Sequence, residues 1–216
     1  MSWPGRALAL TVGILLIAWF AHYEHVPSEA GESRFIKLNK QGEPMHPWQG
    51  PWSCIFDTES GLVWENKTDD ESIHDALWTF SWYQQGKGVK NSGDCYFEPD
   101  RCDTSDLIRR MNAEETCGLN EWRLPTVEEL NSLVNDNPKT GDAKIAGDFF
   151  SYTKRGDYWT SDADVVLQGV YAHLKSGAIA LDFIEGKPRA IPYRNAAFVR
   201  LVSVPPASYS VLSKKK

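Results

Sequence analysis

One helix start constrains this chain more than any other stretch. Thr126 is followed three residues later by Glu129, the spacing of a capping box. In that motif the threonine oxygen accepts the Glu129 amide, and the glutamate reaches back to the Thr126 amide. Pro125 holds the preceding residue extended and keeps Leu124 out of the helix. Behind the cap, Val127, Leu130, Leu133 and Val134 recur at helical spacing. The sequence therefore predicts an amphipathic helix running to about Asn135 and stopping before Pro138. Glu128 and Glu129 fall in its first turn, where the helix dipole favours negative charge. Trp122 and Leu124 alternate with Arg123, so they bury on one side while the arginine reaches a carboxylate or carbonyls.

A second helix start precedes it at Asp103-Thr104-Ser105-Asp106, with Leu107, Ile108, Met111 and Ala113 facing the core and Gly118 ending the element. Upstream, Gly61-Leu62-Val63-Trp64-Glu65 follows turn chemistry and reads as a strand. Trp78-Thr79-Phe80-Ser81-Trp82-Tyr83 alternates aromatic with small residues, the pattern of a half-buried strand. Residues 84–94 read as a surface loop. Downstream the pattern is again β-like. A strand starts at Tyr158-Trp159-Thr160-Ser161, a hairpin is expected of 169–174 and 178–183 around Lys175-Ser176-Gly177, and a last strand covers 196–204.

The amino terminus addresses the compartment. Arg6 precedes an apolar run over residues 7–21, short for a spanning helix and long enough for a signal-peptide core. Trp19 and Tyr23 suit a membrane interface, so cleaved signal and uncleaved anchor both stand. No cysteine follows the run, which excludes a lipoprotein anchor. The division expected is 1–23 signal peptide or membrane anchor, 24–50 linker with a short strand at its end, 51–204 folded domain and 205–216 flexible tail. Four cysteines in an exported chain imply two disulfides with three pairings open. The formal net charge of −6 argues against nucleic acid and against polyanions held by bulk charge.

Trp122-Arg123-Leu124-Pro125-Thr126-x-x-Glu129-Leu130 resembles the hallmark of the Lcl carboxy-terminal domain family, a domain of unknown function. The glycine-led Trp64 strand, Cys117-Gly118, the Tyr158 strand and Phe198-Val199-Arg200-Leu201-Val202 occur in that family's order. The same helix start is found in the formylglycine-generating-enzyme family, whose fold is similar to C-type lectins. The resemblance implies an α+β, C-type-lectin-like domain with two helices and a twisted antiparallel sheet. It implies the pairings Cys54 with Cys117 and Cys95 with Cys102. In the adhesin that names the family the domain binds glycosaminoglycans. The redox-active cysteine pair of the enzyme relatives lies late in their domain, and here nothing later than Cys117 matches it.

Candidate chemistry is sparse, and no catalytic residue is assigned. No Gly-x-Ser-x-Gly turn occurs. His173 is expected on a sheet face, and His74 lies among acids that would raise its pKa. His22 and His25, three apart, lack further ligands. Glu98-Pro99-Asp100 resembles the sugar and calcium motif of C-type lectins, but it precedes the first helix and reads as a turn. Asn135, Asp136, Asn137 and Asp142 form an oxygen-rich run after the second helix that would suit calcium, with Asp162 and Asp164 near enough in sequence to join. Trp48 and Trp52 are expected to cover the domain edge. The chain is thus expected to be a non-enzymatic recognition protein of the bacterial envelope, periplasmic or on the cell surface. Its partner is a glycan or an envelope protein, and it meets the membrane through residues 7–21 if these are kept. The other expectation is a bitopic assembly subunit of a membrane or pilus complex.

Overall fold

Among the described residues three antiparallel sheets form where one was expected. The computed structural model describes residues 33–95 and 101–209, and from Arg34 onward they belong to one compact unit. The apolar run and its histidines, the Glu98-Pro99-Asp100 turn and the end of the tail lie outside the described residues. Among the described residues no helix is long and apolar enough to cross a membrane.

In chain order the strands are β1 (Phe35–Leu38), β2 (Cys54–Asp57), β3 (Val63–Glu65), β4 (Tyr83–Gln84), β5 (Lys87–Gly88), β6 (Asp157–Val166), β7 (Ser176–Asp182), β8 (Lys187–Pro192) and β9 (Val202–Ser203). The four-stranded sheet has the order β1-β2-β3-β9, so the last strand closes against an early one. β1 pairs over its whole length with β2, from Phe35 opposite Asp57 to Leu38 opposite Cys54. Residues 34–50 are therefore built into the domain and are not the end of a linker. β4 and β5 make a hairpin whose two central residues, Gln85 (φ 49°) and Gly86 (φ 85°), both take the left-handed conformation that such a turn requires. The Trp78–Tyr83 stretch expected as a strand is instead tied down by single bridges from Thr79, Phe80 and Ser81 to three different segments.

β6, β7 and β8 form the third sheet. The expected hairpin over 169–183 is displaced: β6 supplies the first strand and Gly169–Leu174 is an exposed 3-10 segment at the tip. His173 sits on that tip and not on a sheet face. Expected strand 196–204 shrinks to β9 plus bridges at Ala197 and Phe198. Within the expected tail, Ala207–Tyr209 forms a 3-10 turn whose Tyr209 hydroxyl donates to the Gly42 carbonyl at 2.9 Å.

Helix α1 (Thr104–Ala113) starts where expected, with the Asp103 carboxylate accepting the Asp106 amide. Leu107 and Met111 are buried, but Ala113 is exposed. The helix cannot continue to Gly118, because Glu115 (φ 48°) and Cys117 (φ 58°) are left-handed. Helix α2 (Val127–Asn131) carries both halves of the capping box. It ends well before Asn135: the Ser132 hydroxyl donates to the Glu129 carbonyl at 2.7 Å and Leu133 closes a tighter turn onto Leu130.

The core falls into two clusters. Leu38, Phe56, Trp82, Trp122, Trp159 and Leu201 anchor one, and Trp64, Leu130, Phe150, Tyr158 and Phe183 the other. A buried indole usually finds a partner for its N–H, although that of the fully buried Trp64 has none among the described residues. Trp82 donates to the Thr160 carbonyl at 2.8 Å, Trp159 to that of Phe80 at 2.6 Å and Trp122 to that of Leu119 at 3.0 Å. Two disulfides, Cys54–Cys117 and Cys95–Cys102, join the pairs that the resemblance implies.

Candidate functional site

Two places concentrate polar groups, and they differ in access. The first is a buried ion network on β3. The Glu65 carboxylate is fully buried and meets Lys67 Nζ at 2.9 Å and His74 Nδ1 at 3.1 Å. The other His74 nitrogen lies 3.2 Å from Glu114, just past the end of α1. Burial alone would lower the His74 pKa, but hydrogen bonds to Glu114 and Glu65 outweigh it and raise the value to about 9. Burial would likewise raise Glu65, yet the charges of Lys67 and His74 and their hydrogen bonds bring it to about 2. Arg200 closes the network by donating to the Glu65 carbonyl at 2.6 Å and to the Thr153 hydroxyl at 2.7 Å. The expected rise in the His74 pKa is present, with both ring nitrogens committed to carboxylates and only 14% of its side chain exposed. That arrangement holds a fold together and leaves no free base.

The second place is an open cleft of about 570 Å³. The β4–β5 hairpin contributes Gln84, Gln85 and Lys87, α1 contributes Ile108, the lead into α2 contributes Arg123, Leu124 and Thr126, and Trp82, Ser161 and Ala163 complete the lining. The chain folds this way because Pro125 keeps its lead extended, the Pro125 carbonyl takes the Ser161 amide at 2.8 Å, and the Asp162 carboxylate accepts the Val127 amide at 2.7 Å. Arg123 is held by a double hydrogen bond to Glu129 at 2.8 and 2.7 Å, so the residue that closes the capping box also fixes the rim cation. Across the cleft, Lys87 pairs with Asp164, which also accepts from the Tyr193 hydroxyl at 3.1 Å. Two cations and no carboxylate line this cleft in a chain of net charge −6.

The cleft was not legible beforehand. In the sequence its hairpin reads as a surface loop, and Asp162 and Asp164, near enough in sequence to join the oxygen-rich run, are partners of Val127 and Lys87.

The oxygen-rich run is only partly gathered. Asn135, Asn137 and Asp142 line a cavity of about 320 Å³ together with Lys139 and Asp148. Asp136 faces Lys144 Nζ at 3.6 Å, and the Asn135 side-chain oxygen accepts the Asn137 amide at 3.0 Å. Lysines thus supply positive charge around these oxygens. Among the described residues no three His, Cys, Asp or Glu side chains group as metal ligands. Trp52 covers the domain edge as expected, donating to the Phe149 carbonyl at 2.8 Å beneath Lys37. Trp48 does not; it is 67% exposed and stacks on His46.

The model of one family, the Lcl C-terminal domain, matches residues 53–203, well over half of the chain. This chain belongs to the Lcl C-terminal domain family. No curated protein and no solved structure matches it. The Lcl C-terminal domain is a domain of unknown function. The matched span contains the whole cleft and both disulfides and leaves β1, the edge strand of the four-stranded sheet, outside.

Proposed function

We propose that this Lcl C-terminal domain is a non-catalytic recognition module of an exported envelope protein, and that the cleft beside the β4–β5 hairpin takes part of a partner protein. The observation that carries this reading is the cleft itself: ligand-sized, floored by Ile108, Leu124 and Trp82, and rimmed by hydrogen-bonding side chains. No nucleophile with an adjacent free base accompanies it among the described residues, which supports recognition over reaction. Two disulfides support an oxidising compartment, periplasm or cell surface, with residues 7–21 as signal or anchor. The two-helix core and the loops that carry the cleft support a C-type-lectin-like fold.

A glycan is the second reading, favoured by a different observation. Trp48 offers an open indole face backed by His46 at 4.6 Å and nearly parallel, a platform suited to a sugar ring. The full chain screened against a peptide library and a glycan array separates the two. Peptide binding abolished by Ile108→Glu, with an unchanged melting temperature, is the expected result. Binding that survives Ile108→Glu would remove the cleft from the proposal, and glycan binding lost in Trp48→Ala would put the platform in its place.

A further inference from the structure

We infer that the cleft recognises the free carboxyl end of a partner polypeptide, its last side chain aliphatic and its carboxylate on Lys87. This rests on reading the cleft as the recognition site and names the chemistry of what enters it.

The floor selects the body of the ligand. Ile108 and Ala163 are aliphatic and partly exposed, whereas Leu124 and Trp82, the single aromatic of the lining, are each 3% exposed, and Tyr193 packs 5.0 Å from the Trp82 ring. A sugar ring seeks an open aromatic face and finds none here; a leucine or valine side chain finds a fitting surface. The rim selects the head. Its side chains are Lys87, Arg123, Gln84, Gln85 and two hydroxyls, all able to donate, with no carboxylate among them.

The carboxylates nearby are already engaged, and unequally. Glu129 is clamped by Arg123 and by the Thr126 amide, and Asp162 by the Val127 amide. Asp164 is held differently, through an ion pair in which both partners are exposed, 51% for Lys87 and 58% for Asp164. Exposed pairs of this kind contribute little and exchange readily. Asp164 is therefore an internal competitor, a carboxylate of the chain's own occupying the position on Lys87 that an incoming one would take.

The two members of the pair make opposite predictions. The probe is a hexapeptide library ending in Leu, Val, Ala or Lys, each as free acid and as amide, presented to the immobilised full-length chain. Free acids with an aliphatic end should bind, and amidation should weaken them about twofold to fivefold. Lys87→Gln should weaken the same peptides to a similar degree. Asp164→Asn should strengthen them, and asparagine tolerates the left-handed backbone (φ 61°) at that position. Binding indifferent to amidation and to Lys87→Gln, yet lost in Ile108→Glu, overturns the carboxyl-end inference and leaves the cleft as a recognition site. Binding of any probe unaffected by Ile108→Glu overturns both.

Discussion

At the scale of single residues, His74 is the most consequential side chain that is not in the cleft. Its folded pKa of about 9 lies above the ordinary 6.5, so the stability it confers is complete below about pH 6.5 and is lost as pH rises through 9. Glu65, held near 2, works in the opposite sense: its contribution is present above about 4.5 and is lost as pH falls towards 2. Denaturant titrations from pH 3 to 10 should show a plateau between these limits. His74→Gln should cost about 2 kcal/mol at pH 6 and flatten the alkaline decline. A variant that keeps the decline would locate the titrating group elsewhere. Glu65 could be read as part of a strand and His74 as a histidine among acids, but their meeting could not. The contact joins β3, a loop and the end of α1, and His74 and Glu114 are 40 positions apart in sequence.

At the scale of elements, the capping box was fully legible because its two hydrogen bonds are local. Thr126→Ala should cost about 1 kcal/mol, and Thr126→Ser should recover most of it, as read by chemical denaturation. The length of α2 was not legible. Apolar spacing continues through Val134, but the Ser132 side chain folds back on the helix, Arg34 donates to the Ser132 carbonyl and Val134 bridges to Ile145, and no local pattern shows these contacts. The tip at 169–174 failed for the same kind of reason. Val170, Ala172 and Leu174 alternate like a strand, yet Val170 and Tyr171 are exposed on a 3-10 segment, so there is no core side for the alternation to face. β7 is a more exacting element. A methyl group on Gly177 would lie 2.1 Å from the Ile191 carbonyl of β8, so Gly177→Ala should destabilise by about 3 kcal/mol. An unchanged melting temperature for that variant would mean that β7 and β8 are not so closely apposed.

At the scale of the whole molecule, the family was legible because its motif residues are core residues. Trp64, Trp122, Leu124, Tyr158 and Trp159 are nearly inaccessible in the fold. The cleft was hidden because four segments build it, and no one of them carries a recognisable pattern. The disulfides divide the molecule's stability unequally. The bridge between Cys54 and Cys117, 63 residues apart, should contribute about 4 kcal/mol, and that between Cys95 and Cys102, seven apart, about 2. Paired Cys→Ser variants compared by denaturant midpoint would check this, and equal losses would count against a loop-length account.

β9 has a further implication for how the chain comes to be folded. It lies against β3, and Arg200 just before it bonds the carbonyl of the residue whose carboxylate gathers Lys67 and His74. β3 ends at Glu65 and β9 begins at Val202, so the first sheet stays one strand short until all the chain between them has been made. Pairing across so long an interval is the slow kind of event in folding.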